Sequence, residues 1–181
     1  MKKFSIKILL AVVAIITISG CGGTGTPSVP KVKTTEKFQF EKVNLNVTQL
    51  VQPKIVYHTE EELSEMLNKK LTSLLKENDL LSTQKDMNKL VINATYERRF
   101  VGDETPIPSD SLAYPHYKYT IDVENNSKSL IKVKKENLTF NGGFSLNLQV
   151  IAGTLRDKKY EVEFINTLAN TICEDIKNLQ N

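Results

Sequence analysis

Side chains able to do chemistry are few in this chain and lie far apart. The two histidines, His58 and His116, sit in different contexts with no His-x-x-x-His or paired-cysteine spacing around them, so no metal site is expected. A glycine fingerprint occurs at Gly20-Cys21-Gly22-Gly23-Thr24-Gly25. That pattern binds dinucleotides only between a strand and a helix whose N-terminus meets the pyrophosphate. Here more glycines and prolines follow it, so no cofactor is expected. There is no Gly-x-Ser-x-Gly elbow and no P-loop. Hydrolysis would need His58 or His116 to meet Ser109, Ser111 or an acid in space. An enzyme is therefore the less favoured reading. The acids Asp103 and Glu104 fall in a loop, where carboxylates are usually solvated.

The densest gathering of functional side chains is Tyr96-Glu97-Arg98-Arg99-Phe100, followed by a loop from Gly102 to Pro115 and then His116-Tyr117. Two readings apply. Arginine and tyrosine are enriched where proteins meet partners, which makes this a candidate recognition surface. Equally, Tyr96 and Tyr117 could pack in a sheet while Glu97 and Arg99 pair with charges across strands. Alternation puts Arg98 on the inward side with Tyr96 and Phe100, and Arg99 on the outward side. The candidate contact residues are thus Arg99 first, with Tyr114, His116 and Arg98. Pro106, Pro108 and Pro115 stiffen the loop, and Tyr114 offers an amphipathic anchor at little rotamer cost.

The elements that position these residues begin after a distinct leader. Lys2, Lys3 and Lys7 precede an apolar run from Ile8 to Ile18, interrupted only by Thr17. The run fits the ~7–15 residue core of an export signal and falls short of the ~20 residues of a spanning helix. It ends in Ile18-Ser19-Gly20-Cys21, which resembles the lipobox of bacterial lipoproteins, with isoleucine where leucine is commonest. The resemblance implies cleavage before Cys21, acylation of that cysteine and anchoring to a membrane. With Gly22 in the next position, it also implies passage onward to the outer membrane, facing the periplasm.

The leader's three lysines account for the whole excess of 24 basic over 21 acidic side chains, so the remainder is formally neutral. This argues against a nucleic-acid partner, which would want a basic face. With Cys21 lipidated, Cys173 has no partner, and it reads as a small buried hydrophobe on a helix.

From Gly22 to Glu36 the chain is rich in glycine, proline, threonine and lysine without apolar periodicity, as a tether would be. Residues 1–20 thus read as a signal peptide, 21–36 as lipidated N-terminus and tether, and 37–181 as one domain. Strands are expected where Phe38, Phe40, Val43, Leu45 and Val47 alternate with polar residues, and again over Leu90–Phe100, Tyr117–Val123 and Leu130–Phe140. A further strand is expected over Phe144, Leu146, Leu148 and Val150, after a hairpin or bulge at Gly142-Gly143. Thr59 and Glu62 have capping-box spacing and introduce a helix over about residues 60–77. A second helix is expected over about 160–178, carrying Ile165, Leu168, Ala169, Ile172, Ile176 and Leu179.

The order β-α-β-β-β-β-α predicts an α+β domain, with an antiparallel-leaning sheet of four to five strands and two amphipathic helices on one face. That order is similar to that of the outer-membrane lipoproteins that partner the lipopolysaccharide-export barrel. The expected function is that of a non-catalytic periplasmic binding or envelope-assembly module, with a membrane bound through its lipid and an envelope protein or lipid as partner. The alternative is a lipid- or small-ligand-binding lipoprotein. It would show an apolar cavity between helices and sheet. An envelope hydrolase is less favoured.

Overall fold

The computed structural model describes residues 34–84 and 86–180. The leader, Cys21, Gly22 and the tether as far as residue 33 lie outside the described residues. The elements follow as β1 (Phe38–Gln49), α1 (Glu60–Glu77), β2 (Asn88–Arg98), β3 (His116–Asn125), β4 (Lys128–Thr139), α2 (Gly143–Ile151) and α3 (Lys159–Asn178). The architecture is α+β, as expected, with a four-stranded mixed sheet in the order β1-β2-β3-β4. β1 and β2 run parallel, which requires a crossover, and α1 supplies it; β2, β3 and β4 form an antiparallel meander.

Local chemistry explains these elements. Glu62 N–H donates to Thr59 Oγ1 at 3.2 Å while Thr59 N–H donates to Glu62 Oε2 at 2.8 Å, closing the capping box of α1. Leu63, Leu67, Leu71 and Leu75 then recur on one face and are fully buried. On α3 the matching stripe is Phe164, Ile165, Leu168, Ala169, Ile172 and Ile176. These two stripes face the inward residues of the sheet, paired in register as Leu90–Val123, Ile92–Ile121, Ala94–Tyr119 and Tyr96–Tyr117. A bulge between Phe40 and Val43 resets the alternation of β1, so Phe38 and Val43 are both buried although five residues apart. Asn126 and Ser127 both have positive φ, the two-residue turn that fits the twist of the β3-β4 hairpin. β4, with Lys128, Lys132, Lys134 and Lys135, is an edge strand, where lysines discourage pairing with another chain.

The strand expected over Phe144–Val150 is instead the helix α2, and Gly142-Gly143 is its start rather than a hairpin. Short apolar runs satisfy both periods: alternation links residues 144, 146, 148 and 150, whereas a helix separates 146 and 150 from 144, 148 and 151. The helix prevails because Gly142 leaves room for Leu146 to pack beside Phe140, where a Cβ would collide with both side chains.

This difference is testable by stability. In a strand, Leu146 and Leu148 would share one face and cost alike when truncated. In α2, Leu146 is 8% exposed and Leu148 is 51% exposed. We expect Leu146→Ala to cost about 2 kcal/mol or more and Leu148→Ala to stay within about 0.5 kcal/mol, measured by urea unfolding. Equal costs would contradict the helix.

Candidate functional site

The C-terminal end of β2 carries the chemistry on both of its faces. On the inward face, strand alternation turns Tyr96 and Arg98 toward the first turn of α3, where Glu161 is 0% exposed. Glu161 Oε1 accepts from Arg98 Nε at 2.7 Å and from the Tyr96 hydroxyl at 3.2 Å. Its Oε2 accepts from the His58 backbone N–H at 3.0 Å and lies 3.2 Å from His58 Nδ1. A carboxylate only accepts, so Nδ1 is the donor in that contact. Arg98 uses its other donors on Gln49 Oε1 at 2.7 Å and the His58 carbonyl at 2.6 Å, and its guanidinium lies 5.8 Å from the centre of the Tyr57 ring.

Two phenols complete the cluster. The Tyr57 hydroxyl donates to the carbonyl of Asp110 at 2.6 Å and lies 3.3 Å from that of Leu155. Burial, and then the charge of Glu161, pushes the Tyr57 phenol up to about 12 and holds Tyr96 well above the ordinary range. Both therefore stay neutral donors at physiological pH.

On the outward face Arg99 does not reach into solvent. Its side chain is 14% exposed and folds onto the following loop. Nε and Nη2 form a two-pronged pair with Asp103 at 2.6 and 2.8 Å, and Nη2 also meets Glu104 at 2.6 Å. These hydrogen bonds raise the Arg99 pKa and hold the Asp103 carboxyl below its usual range. Arg99 Nη1 lies 3.2 Å from His116 Nδ1, which must accept because arginine only donates.

The loop itself is ordered. Val101 N–H donates to Ser111 O at 2.9 Å, Ala113 N–H to Arg99 O at 2.8 Å, and Phe100 bridges to Leu112. It projects the apolar tip Pro106-Ile107-Pro108, with Ile107 88% exposed.

Of the residues singled out from the sequence, Arg98 is inward and buried, Arg99 is outward but clasped, and His116 stands beside Arg99 on the open face of the sheet. Tyr114 is half-buried with its ring 5.5 Å from that of Phe140. His58 does meet an acid, Glu161. Ser109 and Ser111 make their hydrogen bonds elsewhere, Ser109 Oγ accepting from Ser111 N–H at 3.0 Å and the buried Ser111 Oγ lying 3.5 Å from the Leu112 carbonyl. Cys173 is buried, which pushes its thiol up.

Sequence reasoning missed Glu161, Gln49 and Ile107. Glu161 carried a signal, since it precedes Ile165, Leu168 and Ile172 on the apolar stripe of α3 and so faces the core. Ile107 did too, as an aliphatic residue between two prolines. Gln49 carried none.

Among the described residues, no group of three or more His, Cys, Asp or Glu side chains is placed to hold a metal ion. No described helix is long and apolar enough to cross a membrane. A surface depression of about 950 Å³ lies away from these clusters and is lined by Thr35, Lys37, Phe40, Lys76, Leu81 and Met87 among others.

No protein-family model matches the sequence, and no curated protein matches it. Among solved structures, the chain is similar to a minor lipoprotein from Acinetobacter baumannii, at 16% identity and a TM-score of 0.36, over 75% of this chain and 91% of that one.

Two predictions test the roles of the paired arginines. Removing one partner of a buried ion pair strands the other charge, so Glu161→Ala should cost about 3–5 kcal/mol, while an apolar replacement of both Arg98 and Glu161 should recover much of that loss. Chemical denaturation measures both, and a Glu161→Ala variant as stable as wild type would refute the anchoring role. For the clasp, a depressed carboxyl contributes stability that is present above its unfolded pKa of about 3.9 and is lost as pH falls through the lower folded value. Asp103→Asn should therefore cost about 1–3 kcal/mol at neutral pH. The gap to wild type should close below about pH 4. A gap independent of pH would show that the charge is not what matters.

Proposed function

We propose that this chain is a membrane-anchored lipoprotein of the bacterial cell envelope, acylated on Cys21. The domain beyond the tether would act as a non-catalytic periplasmic binding or envelope-assembly module. The observation that carries this reading is the coincidence, within residues 1–21, of a lysine-rich start, an apolar run and Ile18-Ser19-Gly20-Cys21.

The binding surface we favour is the loop between β2 and β3. Its support is pre-organisation: the Arg99 clasp and the bridge to Leu112 hold the loop in one shape before any partner arrives, which lowers the ordering cost of association. The contact residue shifts accordingly from Arg99, whose donors are committed within the chain, to the exposed Ile107. A ligand held between helices and sheet is less favoured, because that space is filled by Leu67, Leu71, Ile92, Ile121, Leu168 and Ile172.

Acylation supplies the two chains that stable anchoring needs. Cys21→Ala should therefore release the protein from the membrane fraction or leave it unprocessed. An alanine variant that is cleaved normally and still sediments fully with membranes would overturn the reading. Density-gradient separation places the wild type: by analogy with lipoproteins that lack aspartate after the cysteine, Gly22 should send it to the outer membrane.

A further inference from the structure

The second helix, α2, carries an apolar stripe that nothing in the described chain covers. Phe144 and Ile151 are each 79% exposed and Leu148 is 51% exposed. At about 100° per residue the three fall within an arc of about 60°, opposite Leu146 and Val150, which face the domain. The helix contains no charged residue.

Shortly after it come Arg156, Lys158 and Lys159, all exposed, with Asp157 3.6 Å from Lys159 Nζ and Glu62 4.0 Å from Lys158 Nζ. Tyr160 ties this basic segment to the helix, since its hydroxyl lies 3.3 Å from Gln149 Oε1 while Lys159 Nζ lies 5.2 Å from its ring centre. Through this contact the cations are held close to α2, on the segment that follows it.

We propose that α2 is an interfacial membrane-docking element: Phe144, Leu148 and Ile151 insert among the acyl chains of an anionic leaflet while Arg156, Lys158 and Lys159 meet its phosphates. An exposed apolar helix face followed by basic residues offers the two contributions that interfacial binding draws on, buried apolar area and attraction to anionic lipid. A second copy of this chain is the weaker occupant, because three side chains fall far short of the ~800 Å² per partner that a standard protein interface buries. The reading rests on the anchored state for its local concentration. From Cys21 to Phe38 the chain spans at most ~60 Å, which keeps the domain within reach of the lipid.

The test uses the chain from residue 21 with Cys21→Ala, so no acyl group contributes to binding. The compact unit from Val32 to Asn181 contains the whole described core, so this chain should fold without the leader. Tryptophan is absent from the sequence, so Phe144→Trp gives a single reporter. With vesicles of phosphatidylethanolamine and phosphatidylglycerol its emission should shift to the blue. Phe144→Ser with Leu148→Ser and Ile151→Ser should lower partitioning on the order of a hundredfold while leaving the melting temperature unchanged. Replacing Arg156, Lys158 and Lys159 by Gln should weaken binding to these vesicles at low salt and leave weak binding to phosphatidylcholine vesicles unaltered.

No blue shift, or a triple-serine variant that still partitions like its parent, overturns the proposal. So does a concentration-dependent dimer abolished by the same serines, which would assign the stripe to a second copy. Acylation is read separately by fractionation in cells, so loss of either result leaves the other standing.

Discussion

One buried carboxylate holds the architecture together. Glu161 lies at the start of α3, where the helix dipole favours negative charge, and it collects donors from β2 and from the segment leading into α1. Stripes of leucine and isoleucine can pack in several neighbouring registers at similar cost. A carboxylate held by four groups from three residues cannot, because any slip strands it without hydrogen bonds in a dry interior. The apolar faces of α1 and α3 supply the driving force for docking on the sheet, and Glu161 selects where along its length α3 stops. Arg98 extends the same constraint to the end of β1 through Gln49 and to the chain before α1 through the His58 carbonyl.

Adjacent arginines at the end of β2 do opposite jobs because a strand turns successive side chains to opposite faces. Arg98 ties helix to sheet, whereas Arg99 folds the loop after β2 back on itself. Without the clasp, Asp103 and Glu104 would be two solvated acids on a long connection. With it, the tip Pro106-Ile107-Pro108 is presented on a fixed base. A loop from Arg99 to Pro115 that merely joined two strands would have little reason to be stiffened in this way. Its order is the physical ground for treating it as a surface rather than a spacer.

What the sequence made legible follows from how regular each signal is. The helices α1 and α3 are long enough for several apolar repeats each, and α1 also announces itself with Thr59 and Glu62. Strands β2 and β3 alternate cleanly, so alternation alone places Arg98 inward and Arg99 outward. α2 could not be read, since nine residues hold too few turns to separate the two periods, and Leu146 is its only buried side chain. The partners of Arg99 were hidden for a different reason. Asp103 and Glu104 reach it through loop turns at Gly102 that follow no period. Glu161 stood between these cases: its place on the apolar stripe of α3 marked it as inward, and the inward Arg98 was its natural counter-charge, but only the docked helix brings the two together.

The loop and α2 share one support. Tyr114 at the loop's end stacks near Phe140, which in turn lies 4.7 Å from Phe164 of α3, and Leu112 N–H donates at 2.9 Å to the carbonyl of Leu155, just beyond α2. A tether by itself limits the distance of a domain from a membrane and leaves its orientation free. A second contact through α2 would remove that freedom, and the shared support would carry the restriction to the loop. Ile107 would then be offered in a limited range of directions relative to the bilayer. For a partner embedded in the same membrane, that restriction acts as an increase in effective concentration, gained without any added contact between the two proteins.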